Sequence, residues 1–192
     1  MSSRRTTVKG THVMMTSDWI EEKLGAGKFK ALAEQVEAGW TFPLLPSTAY
    51  DIYPLNAILD LATKEVGVTV TSAVTVIARR NAEKDLTTIY RAFMRAAGPR
   101  ALLQATPHLW RNYVAFAEAK KITNVPGHLV AECRMIPADV FDWAMGCWHG
   151  FLPAAIELAG GTNARSKIID RGDEDQAGYR WLRAEYHYEW KA

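Results

Sequence analysis

Two cysteines, Cys133 and Cys147, are all that 192 residues carry. That is too few for a disulfide scaffold or a four-cysteine zinc site, and the pair is expected as reduced thiols in a cytoplasmic protein. Charge of one sign is equally scarce: 23 Lys and Arg against 21 Asp and Glu leave a net +2. No overall field draws the chain to nucleic acid or a membrane surface. The basic opening MSSRRTTVKGTH is not followed by an apolar run of signal-peptide length before Asp18, Glu21 and Glu22. The most apolar later stretch, residues 140–159, contains Asp142, His149, Pro153 and Glu157, which are costly at bilayer depth, so no membrane span is expected. His12, His108, His128, His149 and His187 form no i,i+4 pair, and neither HExxH nor CxxC occurs, so no metal site is expected. The G-x-S-x-G elbow, the P-loop and a G-x-G-x-x-G after a strand are also missing, which removes the common hydrolase and nucleotide chemistries. A non-enzymatic chain is expected.

What is present reads as one globular domain over residues 1–192, with 1–15 as a flexible N-terminal segment; 48% of residues are hydrophobic and 23% charged. Ser17 and Asp18 precede Trp19, Ile20, Leu24, Phe29, Leu32 and Val36, a capped amphipathic helix that Gly25 and Gly27 divide. WTFPLLP, residues 40–46, is an irregular connector, after which Ser47 or Thr48 caps a second helix ended by Gly67. A third helix is expected over about residues 71–97, broken near Asn81, and a short one through Trp110 and Tyr113. Pro126-Gly127 separates two candidate strands, 115–125 and 127–136. After Pro137, Phe141, Ala144, Met145, Trp148, Leu152, Ala155, Ile156 and Ala159 recur as one helical face closed by Gly160 and Gly161. Segments 164–170 and 179–190 flank the polar loop RGDEDQAG. In the second of them Leu182, Ala184, Tyr186, Tyr188 and Trp190 alternate with Arg183, Glu185, His187 and Glu189, the clearest period-two signal in the chain. The sum is an α+β domain: N-terminal helices packed on a C-terminal antiparallel sheet built from two hairpins around a long helix.

Candidate chemistry is sparse. Cys147 and His149 stand two apart on one helix and point in different directions, a poor catalytic pair. Asp173, Glu174 and Asp175 lack the spacing of a calcium loop and suit a solvated hairpin tip. Arg79, Arg80, Arg91 and Arg95 belong to a locally basic stretch that offers a patch for an acidic protein partner, against the plainer reading of a solvated helix face. Aromatic residues are abundant, with seven Trp, seven Tyr and six Phe. Trp110, Phe141, Trp148, Tyr186 and Tyr188 are the candidate wall of an apolar ligand pocket between helices and sheet, unless they only fill a core.

The C-terminal string FDWAMGCWHGFLPAAIELAGGTNARSKIIDRGDEDQAGYRWLRAEYHYEW resembles the closing helix and hairpin of a superfamily that joins haem-nitric-oxide/oxygen-binding domains, 4-vinyl-reductase-type ligand-binding domains and TRAPP transport-complex subunits. LLPSTAYDIYPLNAILDLA, PHLWRNY and GFLPAAIELAGG resemble an uncharacterised paralogous family of this fold best known from myxobacteria. The resemblance spans nearly the whole chain. In its haem-binding form it implies an axial histidine, for which His108 is the sole candidate, and a Tyr-x-Ser-x-Arg motif. The matching strand HLVAECRMIP offers Arg134 without the Tyr or Ser, so no cofactor is expected. The cysteines with which 4-vinyl-reductase-type members hold zinc are absent from the last hairpin. The TRAPP-type members imply a homodimeric adaptor. The leading expectation is a non-catalytic sensory or regulatory module with a small hydrophobic ligand; its alternatives are a ligand-free assembly subunit and, more weakly, a haem-based gas sensor.

Overall fold

The computed structural model describes residues 6–88, 91–104, 106–174 and 178–189. A short strand β1 (Thr7–Lys9) leads into α1 (Gly10–Leu24) and α2 (Lys28–Gln35); β2 (Ala49–Asp51) returns to pair antiparallel with β1. Then follow α3 (Ile52–Val66), α4 (Val70–Thr88), α5 (Arg91–Gln104) and α6 (Thr106–Tyr113). The C-terminal half is the hairpin β3 (Glu118–Val125) and β4 (His128–Pro137), the helix α7 (Phe141–Leu158), and the hairpin β5 (Thr162–Asp173) and β6 (Tyr179–Glu189). The four long strands form one antiparallel sheet in the order β3-β4-β6-β5. The expected α+β architecture is therefore the observed one.

Several local expectations are corrected by long-range pairing. Within the expected N-terminal segment 1–15, residues 7–15 form β1 and the start of α1: Val8 and Val13 are buried, and Gly10 donates its N–H to the Thr48 carbonyl at 2.8 Å. With β1 delivering the chain at Gly10, Ser17 and Asp18 fall inside α1 rather than capping it. Likewise Asp51, not Ser47 or Thr48, caps α3, its Oδ1 accepting from the Tyr53 N–H at 3.1 Å. α4 runs unbroken through Asn81 to Thr88, and a separate break stands inside α5, at Gly98 (φ 69°) before Pro99.

α7 is the central element. Gly146 and Gly150 lie one turn apart and face α4: a Cβ on Gly146 would stand 2.6 Å from the Val74 Cβ, and one on Gly150 would collide with the Thr75 carbonyl. Glycine is needed there because the two backbones approach too closely for any side chain. The opposite side of α7 meets the sheet, where Leu182, Ala184, Tyr186 and Tyr188 are all buried, as their period-two alternation requires. Tyr186 fixes the contact by donating its hydroxyl to the Trp148 carbonyl at 3.0 Å. Among the described residues, no single helix is long and apolar enough to cross a membrane.

Candidate functional site

Where α1, α4, α6 and α7 converge they leave a partly enclosed cavity of about 40 Å³, lined by His12, Ala78, Asn81, Trp110, Tyr113, Val114, Trp143, Cys147, Trp148, Phe151 and Leu152. Its wall is almost wholly apolar, with a few polar atoms set into it. Trp110 and Trp148 form one side, their rings tilted at 58° with centroids 5.6 Å apart. Tyr113 and Phe151 extend it with a second tilted pair at 5.2 Å.

His12 enters from α1. It is 4% exposed, and desolvation pulls its pKa down from 6.5 to about 4, so the ring is neutral at neutral pH. The Trp143 indole N–H donates to His12 Nε2 at 3.0 Å across 131 residues of sequence, with the rings edge to face. That bond leaves the ring proton on Nδ1. Asn81, 2% exposed on α4, has no partner for its Oδ1, and the buried Nε1 atoms of Trp110 and Trp148 have none either. Unpaired buried polar atoms cost about 1–3 kcal/mol each, so a donor and an acceptor left open in one apolar cavity are a feature that calls for an occupant. Cys147 also lines the cavity; burial raises its pKa well above that of a free thiol, and it is therefore a neutral thiol rather than a nucleophile.

Of the five aromatic residues expected to wall a pocket, the structure brings Trp110 and Trp148 to the cavity. Phe141 is buried elsewhere, under the Arg180 guanidinium at 3.9 Å. Tyr186 stands behind Trp148, its ring centroid 6.4 Å away, and Tyr188 is buried in the sheet with an unpaired hydroxyl. The cavity thus lies among helices, with Trp148 between it and the sheet. Of the basic patch, Arg79 is bound to Glu83 at 3.2 Å and to Glu157, and Arg80 to Glu22 at 2.7 Å. The Arg91 and Arg95 side chains lie outside the described residues. His149 turns away from the cavity to Ser166 Oγ at 2.8 Å, and half-burial lowers its pKa. Sequence reasoning does not single out His12, Asn81 or Trp143 for a site, and considers Cys147 only as a poor catalytic partner for His149. The signal that identifies them, convergence of three helices, is tertiary.

A haem held as the resemblance implies does not fit these residues. His108 is exposed on α6 and does not line the cavity. The Arg134 side chain is 55% exposed, with its Nε 3.8 Å from Glu174. The cavity is also an order of magnitude below the several hundred Å³ typical of cofactor pockets.

No protein-family model matches the chain, and no curated protein does. Solved structures do. A mutant Cs H-NOX carrying 4-cyano-L-phenylalanine superposes with a TM-score of 0.70 at 12% identity, covering 96% of this chain and 100% of that one. An oxygen-binding H-NOX domain related to soluble guanylate cyclases gives 0.66 at 14% identity, covering 96% and 99%. A mutant H-NOX of T. tengcongensis gives 0.68 at 14%, covering 94% and 97%. At such identities the likeness is one of fold: over almost its whole length, this chain is folded like an H-NOX domain.

Proposed function

We propose that the chain is a ligand-binding sensory module in which the cavity between α1, α4, α6 and α7 receives a small, largely apolar ligand with a polar handle. The observation that carries this reading is the pair of open hydrogen-bonding atoms, Asn81 Oδ1 and Trp110 Nε1, on residues that line one apolar cavity. A ligand donating to the first and accepting from the second would satisfy both. A neutral His12 and a protonated Cys147 give the cavity no strong base or nucleophile at neutral pH, which supports binding without turnover. Native mass spectrometry of the purified chain beside a denatured control tests it. A bound mass is expected on the wild type and is lost in Ala78→Val, whose extra methyl groups fill the cavity. A bare mass for the wild type contradicts the reading.

A second reading, haem-based gas sensing, is favoured by the likeness to H-NOX structures, one of them described as an oxygen complex. It requires the Trp110–Trp148 pair to part and His108 to turn inward. Haem reconstitution separates the two: a Soret band that His108→Ala abolishes supports the haem reading, and a colourless protein removes it.

A further inference from the structure

On the outer face of the sheet, away from the cavity, β4 and β6 bring His128, Glu185 and His187 together. The register sets His128 opposite His187, and Glu185 precedes His187 by two residues, so all three side chains share one face. Glu185 Oε1 lies 2.7 Å from His128 Nε2 and 3.3 Å from His187 Nε2. The two imidazoles are stacked at 15° with centroids 4.8 Å apart. One ligand atom from each residue lies within 4.8 Å of the others, and among the described residues this is the one place where three such donors converge.

We propose that this triad is a surface site for a divalent first-row transition cation of the zinc class. Two imidazole nitrogens and a carboxylate oxygen are a donor set that such ions take, leaving one position open to water or a further ligand. Around a tetrahedral ion with bonds of about 2.1 Å, neighbouring ligand atoms stand about 3.4 Å apart. The two N···O separations, 2.7 and 3.3 Å, lie below that spacing, so an ion can replace the N–H groups once the side chains move slightly apart. The backbone under the site is fixed: the Tyr188 N–H donates to the Gly127 carbonyl at 3.0 Å, locking the start of β4 against β6. The open side is toward solvent, since the His187 side chain is 60% exposed whereas His128 and Glu185 are about half that. Opposing charge comes from β5, where Arg165 and Lys167 pair with His187 and Glu185 in register; both are exposed, which keeps their heads in water and limits the repulsion.

The site is independent of the cavity and of its ligand. The test is titration of the tag-free chain with Zn²⁺ at neutral pH, followed by competition against a chromophoric chelator, with the thermal midpoint as a second readout. One equivalent of zinc is expected, together with a raised midpoint. His187→Ala and Glu185→Gln are each expected to weaken binding at least tenfold while the circular dichroism spectrum stays native. Absence of stoichiometric uptake overturns the proposal, and so does uptake that neither substitution changes, which would place the ion elsewhere on the chain.

Discussion

His12 shows how one buried side chain couples this fold to pH. The folded chain holds it neutral with a pKa of about 4 against 6.5 for a free imidazole. Between those values the unfolded state binds the extra proton, so stability falls as pH drops from 6.5 towards 4. The loss attributable to His12 is about 3 kcal/mol over the full window. Urea unfolding from pH 7 down to pH 4 measures it. In His12→Gln the decline is expected to shrink by that amount, leaving the same-sign contributions of His149 and, towards the acid end of the range, of Glu22 and Glu185, whose pKa values are also lowered. An unchanged decline contradicts the burial account. None of this is legible in the sequence, where His12 stands in a polar, basic opening and its partner Trp143 lies 131 residues away.

Among the elements, α7 depends on close backbone contact with α4. Gly150→Ala would drive a methyl group into the Thr75 carbonyl. The gain in helix propensity is about 1 kcal/mol and the cost of overpacking about 1–3 kcal/mol; with backbone as the obstacle, a net loss of about 1–2 kcal/mol in denaturant unfolding is expected. A variant as stable as the wild type would mean that the helices separate freely. The long elements were readable beforehand. The apolar face of α7, the turn at Pro126-Gly127 and the alternation along β6 are local patterns, and each produces the element it predicts. The three-residue strands β1 and β2 carry no such pattern, since they form by pairing with each other across some forty residues, with Val114 bridging Val8 on the other side of β1. That pairing also moves the start of α1 to Gly10. The zinc-class triad was hidden for a related reason. Glu185 and His187 appear in the sequence as alternating outward residues, but His128 joins them only through the β4–β6 register.

For the molecule as a whole, the helices and the sheet perform separate tasks. The sheet supports α7 through Tyr186 and Trp148. The helices close around a cavity whose apolar wall the aromatic content foreshadowed, although only Trp110 and Trp148 of the five expected residues reach it. A filled core and a lined cavity draw on the same residues, and the unpaired Asn81 Oδ1 and Trp110 Nε1, on residues that line the cavity, help to distinguish them. The central claim is that these two atoms await a ligand. Its most direct test is a high-resolution crystal structure of the chain purified without refolding. The account predicts discrete non-protein density in the cavity, within hydrogen-bonding distance of both atoms. A cavity closed by side chains, with Asn81 and Trp110 bonded to the protein itself, or one holding only water, would contradict it.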